Sequence, residues 1–209
     1  MLVRMAERMH GRPAAPTETT LSSANWDSRD LTGESHENVL FVDVDMTEAT
    51  GTGAVFTGCT FRGVRFNAST HTDAAFVNCT FVRCGFFDAA FTGCKLVGSA
   101  FDACTYDLLK VEGGDWSFTG LPGADLRRTS FTGVRMREAD LTGARCAGAE
   151  IRRVDLSGAY LHQADFTGCD LRGSDLSAVD PSTALLKGAV IDPHQAVVLA
   201  MGLGLEVRD

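Results

Sequence analysis

From Trp26 to Ile191 an apolar residue, usually a large one, marks nearly every fifth position without one slip in phase. An amphipathic helix would repeat near 3.6 residues and a half-buried strand near 2, so a period of five fits neither. Of the 34 positions in this comb, 30 are apolar, the exceptions being His36, Gly51, His71 and Pro181, and 11 of the 13 phenylalanines fall on it. The residue two before each tooth is small in 31 of 34 cases, with Arg29, Glu34 and Leu109 departing. The residue two after is often glycine, as in DLTGA and DFTGC. A unit of five that buries one large and one small side chain forms no core alone. It does so when the chain coils and successive coils stack, as in other solenoids. The remaining three residues of each unit then face outward.

The pattern A-[DN]-[LF]-x-G occurs as GADLRR (123–128), EADLTG (138–143), QADFTG (163–168) and GSDLSA (173–178). It resembles the pentapeptide-repeat proteins. That resemblance implies an all-β fold, a right-handed quadrilateral β-helix with four pentapeptides per coil, so that residues 20 apart stack about 4.8 Å from each other. The stretch STHTDAAFVNCTF (69–81), the unbroken phase, GADLRRTSFTG and the ending VIDPHQAVVLAMGLGLEV (190–207) look like the fluoroquinolone-resistance proteins of the MfpA and Qnr type. These imply a cytoplasmic, dimeric rod that mimics B-DNA in shape and charge and binds DNA gyrase, inhibiting it or protecting it from quinolones or a natural gyrase poison. Two features depart from the type. The phase leaves no room for the projecting loops of Qnr-type proteins, and TYDLLKV in the middle has none of the proline found in some relatives.

Three segments follow. Residues 1–23, with Pro13, Pro16 and a threonine cluster, read as a mobile tail; they contain no apolar stretch of the secretory-signal kind, and Met5 or Met9 are alternative starts. Residues 24–192 form the β-helix. Its weakest stretch, 105–123, has bulky Leu109 at a small position and Phe118 at an outward one, and reads as a distortion between a Phe-rich and a Leu-rich half. Residues 193–209 contain a short helix, with Asp192 as N-cap, Pro193 at the first helical position and Gly202 or Gly204 as its end. Its residues are too apolar for a free surface helix. They cap the open end of the coil or, on the sharper reading, form a two-fold dimer interface through Val197, Val198, Leu199, Met201, Leu203 and Leu205.

The candidate chemistry is sparse. All seven cysteines sit at inward positions, where free cysteine acts as a small hydrophobe, and no CxxC pair or histidine partner points to zinc. His36 and His71 lie on the comb, and His71 stacks on Gly51, which leaves space for an imidazole. No nucleophile–base grouping or phosphate-cradling glycine motif emerges, so no enzyme activity, cofactor or metal is expected. The net charge of −8 disfavours nucleic acid and anionic membrane and suits a basic partner. In the C-terminal half the position before the tooth is often aspartate. Glu150, Asp155, Asp165, Asp170, Asp175 and Asp180 are the candidate gyrase-contacting residues, with Glu150/Asp170 and Asp155/Asp175 stacked 20 apart. The alternatives are charge ladders with Arg128, Arg135, Arg145, Arg152 and Arg153, or a scaffold that binds another protein.

Overall fold

A computed structural model describes residues 16–208. Every strand pairs in parallel with the strand 20 residues away, so the chain is a four-sided coil with five residues per side. The first side carries strands Thr19–Ser22, Val39–Val42, Thr60–Arg62, Thr80–Val82 and Ala100–Asp102. The second side is held by single bridges, such as Asn25 to Asp45 and Arg65 to Gly85. The third carries Thr50–Thr52, Thr70–Thr72, Ala90–Thr92, Lys110–Glu112, Ser130–Thr132 and Glu150–Arg152. The fourth carries Ser35–Glu37, Val55–Thr57 and Ala75–Val77. No loop leaves the coil between Trp26 and Leu176, because each unit already closes its corner within five residues.

The coil starts earlier than the boundary at residue 24. Thr19–Ser22 pairs in register with Val39–Val42, which places Leu21 on Phe41. Leu21 is itself in phase with the comb, so the apparent tail contributes the first rung. Residues 1–15 lie outside the described residues.

The teeth of the comb fill the interior as ring stacks. Phe41, Phe61, Phe81 and Phe101 lie 4.8, 4.8 and 4.7 Å apart and are within 8° of parallel. Stacks from adjacent sides meet edge to face, as at Phe61 and Phe66, 5.5 Å apart at 64°. Both are favourable ring geometries, and strand spacing enforces them. The residue two after nearly every tooth turns the corner with positive φ, for example Gly33, Asn38, Asp43 and Gly53. That left-handed conformation favours Gly, Asn and Asp, which explains the glycines of the motif.

The weak stretch follows the same coil but loosens one side. Leu108 and Phe118 hold φ of +60° at corners, a conformation costly for bulky residues. Leu109 is buried at a position filled by Ala89 one coil before and Thr129 one coil after, and shares its coil with buried Tyr106 and Trp116. On the second side the regular ladder bonds stop here. Phe86 N–H donates to Thr105 O, but Tyr106 N–H has no partner at Asp125 O, nor Asp125 N–H at Cys104 O. Leu108 N–H donates to Arg128 O instead of Arg127 O. Between these coils the other sides keep the pairs Ala100–Gly120, Lys110–Ser130 and Asp115–Arg135, although Ala103 N–H on the first side makes no ladder bond to Pro122 O. The rung beside the crowded coil is thus wedged open chiefly on its second side; a similar lapse recurs near the C-terminal end, where Leu161 N–H has no bond to Asp180 O nor Asp180 N–H to Ala159 O.

Six cysteines are buried as expected, but Cys104 is half-exposed, since it borders that wedge. No disulfide forms among them. Native protein treated with a thiol reagent should label at Cys104 well before the other six; equal rates across all seven would contradict the opening.

Phe81→Ala should cost about 3–5 kcal/mol, because it removes a fully buried ring between Phe61 and Phe101. Phe87, off the comb and half-exposed, should cost far less on the same substitution. Chemical denaturation of both variants checks the inward comb.

His71 is fully buried between Gly51 and Phe91, with Nε2 3.1 Å from Ser69 Oγ and Nδ1 without a partner. Burial pushes its imidazole down to about 4. The unfolded chain thus binds this proton first, so the contribution is whole above about 6.5 and is lost as pH falls towards 4. Relative to His71→Phe, the native protein should lose up to about 3 kcal/mol across that window. Parallel pH profiles of the two proteins would refute this.

Candidate interaction surfaces

The six candidate acidic residues do not form one surface. Glu150 and Asp170 stack in register on the third side. Asp155 and Asp175 lie on the fourth, Asp165 on the second and Asp180 on the first. Their side chains also have local work. At the position before a tooth, the aspartate accepts a hydrogen bond from the N–H two residues on, as at Asp155–Ser157, Asp165–Thr167, Asp170–Arg172, Asp175–Ser177 and Asp180–Ser182. Asn25, Asp30, Asp45, Asp115 and Asp140 do the same earlier in the chain. Such Asx turns cap the corner, and they account for the aspartate preference without any partner.

Arginines then neutralise several of these carboxylates from the next coil. Asp115 meets Arg135 and Asp125 meets Arg145, each at 3.0 Å and 20 residues apart, and Asp45 meets Arg65 in the same register. Asp170 is held by both forks of Arg172 at 2.9 and 2.7 Å and approached by Arg152 at 3.5 Å. The Arg172 hydrogen bonds hold the Asp170 carboxyl down to about 2. Burial would raise Asp155, but Ser157 and Arg137 outweigh it and hold it below the ordinary range. On the second and fourth sides the position before the tooth therefore alternates in sign over several coils, as at Asp125–Arg145–Asp165 and Asp115–Arg135–Asp155. Exposed pairs of this kind contribute little to stability and chiefly cancel repulsion between rungs.

The negative charge is concentrated on the first coils rather than at the six candidate residues. In residues 16–50, Glu18, Asp27, Asp30, Glu34, Glu37, Asp43, Asp45 and Glu48 stand against Arg29 alone among Lys and Arg. From 51 to 208, 17 acidic residues face 15 Lys and Arg. Asp27, Asp30, Glu37, Asp43 and Glu48 are exposed on the first coils. A running charge sum along the chain would have found this end; attention to the position before the tooth alone did not.

At the other end, helix Pro193–Gly202 closes the coil. Asp192 and Gln195 form a reciprocal capping box. Buried Gln195 also donates to Leu171 O at 2.6 Å and Ser174 O at 2.7 Å, and Asp192 accepts from Gly173 N–H at 3.0 Å. Val198 and Leu199, expected at a dimer interface, pack against the core of the coil. The helix is stitched down by its first turn, and this turns those two residues inward. Val197, Met201, Leu203 and Leu205 are exposed, together with Val207, Leu185 and Val190. Among the described residues no three His, Cys, Asp or Glu side chains group as metal ligands, and no helix is long and apolar enough to cross a membrane.

A search of curated protein sequences returned no match. Among solved structures, the chain is similar to full-length QnrB1, a plasmid-mediated fluoroquinolone resistance protein, at 24% identity over 90% of this chain and 99% of that one, with a TM-score of 0.46. It is also similar to HetL, a pentapeptide repeat protein involved in heterocyst differentiation regulation in the cyanobacterium Nostoc, at 18% identity over 86% and 90% of the two chains, with a TM-score of 0.36. A family model described as pentapeptide repeats matches in eight copies, over residues 37–67, 121–158 and 139–177. With its five-residue comb and the parallel coil that the comb builds, the chain belongs to the pentapeptide-repeat family.

Proposed function

We propose that this protein is a non-catalytic, cytoplasmic partner of DNA gyrase that competes with DNA for a basic surface of the enzyme. The single observation that supports this best is a loop-free rod whose excess negative charge is gathered on exposed side chains of the first coils. Duplex DNA presents phosphates every few ångströms along a rod of similar regularity. The stacked Glu150 and Asp170 are the clearest such repeat in the C-terminal half. The exposed apolar residues Val197, Met201, Leu203 and Leu205 support a second part of the reading, a dimer that doubles the length of the mimic. The alternating Asp–Arg ladders favour a rival, a scaffold that binds another protein without imitating DNA.

A supercoiling assay with purified gyrase, with and without a quinolone, separates the two. Reversing Asp27, Glu37 and Glu48 to Lys should leave the melting curve nearly unchanged and weaken the effect on gyrase by about tenfold or more, and reversing Asp155 and Asp175, whose carboxylates also cap corners, should weaken it at some cost in stability. The native effect should fall steeply with salt. Full potency in both charge-reversed proteins, at all salt concentrations, would exclude the mimic. Val197→Asp with Met201→Asp, which touches residues exposed in the single chain, should yield a monomer of lower potency.

A further inference from the structure

The ladder lapses between residues 101–120 and 121–140 as it also does at Leu161 and Asp180, and the first of these lapses borders a groove lined by arginines. Ladder bonds at equivalent positions one coil earlier run in both directions: Phe86 N–H donates forward to Thr105 O, and Thr105 N–H donates back to Cys84 O. By the same geometry Tyr106 N–H points forward and Asp125 N–H points back, so both donors face into the wedge from opposite walls. Neither has a partner among the described residues. Tyr106 is only 4% exposed, so its amide lies in a nearly dry wall. An N–H in such a place calls for an acceptor.

The mouth of the wedge supplies cations. A groove of about 710 Å³ is lined by Cys104, Tyr106, Asp125, Arg127, Arg128 and Arg145, among others. Arg127 grips Asp125 with two hydrogen bonds at 2.8 and 2.7 Å, and Arg145 reaches the same carboxylate at 3.0 Å. Asp125 is thereby neutralised twice over. Arg128 is held more loosely, 3.3 Å from Asp107. Three guanidiniums thus stand against two carboxylates, in a protein whose net charge is −8. Planar guanidiniums together with backbone N–H groups are the donor set that recognises oxyanions.

We propose that this wedge is a binding site for a small free oxyanion of the phosphate class, received by the Tyr106 and Asp125 amides and by Arg128 and Arg145. The site is independent of the gyrase reading. It exists because Leu109 overfills the coil beneath it.

The half-exposed Cys104 at the edge of the wedge reports occupancy. Full-length protein is treated with a thiol reagent in inorganic pyrophosphate or in sodium chloride of equal ionic strength, and amide hydrogen exchange is followed at Tyr106 and Asp125. At a pyrophosphate concentration ten times its dissociation constant, Cys104 labelling should slow by about tenfold, and exchange at both amides should slow with it. Arg128→Ala with Arg145→Ala should abolish that protection relative to the variant's own unliganded rate. Leu109→Ala, or Leu109→Thr if the first variant folds poorly, should let the rung close, bury Cys104 and remove pyrophosphate binding together. Malonate serves as the carboxylate arm: weaker protection than by pyrophosphate supports the phosphate class, and equal or stronger protection overturns it. Labelling and exchange rates in pyrophosphate that match those in chloride would overturn the site altogether.

Discussion

Everything in this molecule hangs on one constraint, the parallel register that sets each residue directly over the one 20 positions earlier. Because strands in a sheet sit about 4.8 Å apart, any side chain is held at that distance from its counterpart in the next coil. Flat rings tolerate this spacing well, and the Phe41–Phe101 stack is the result. Like charges tolerate it poorly, and the Asp–Arg alternation up the second and fourth sides relieves it. The same register therefore selects rings inside and paired charges outside.

A register so strict also makes errors of volume visible. Leu109, Tyr106 and Trp116 bring more bulk into one coil than its neighbours carry, and a closely packed interior cannot absorb it without movement. The third and fourth sides keep their ladders, the first loses one bond at Ala103, and the second gives way. Downstream the comb changes to Leu121, Leu126, Leu141 and Leu156, so the wedge lies at the seam between an aromatic and an aliphatic filling. The half-exposure of Cys104, the shifted Leu108 bond and the groove beneath Arg128 are consequences of that seam.

The two ends of the rod face different problems. The first coils carry most of the net negative charge, much of it on exposed side chains. The last coil is closed by a helix whose capping residues double as its anchors, with Gln195 bonded to two carbonyls of the coil it covers. The helix thus acts as the terminal cap that a solenoid needs and still leaves Val197, Met201 and Leu203 uncovered.

How the chain folds could be read directly from its spacing. A period of five, with small and large residues at fixed offsets, admits only stacking coils, and the buried teeth from Leu31 to Leu176 follow it, His36 excepted at partial burial. Even the weak stretch at 105–123 was visible, since Leu109 breaks the small-residue rule. What spacing could not supply was anything that depends on neighbours from other coils. Whether Asp170 stands as free charge or lies in the grip of Arg172 and Arg152 is decided by side-chain reach between rungs. That Val198 and Leu199 turn inward follows from the anchoring of one helical turn by Gln195. And which of four sides yields to an overfull coil is settled only when the coils are stacked, because a one-dimensional pattern records the size of each residue but not the direction in which its excess volume is relieved.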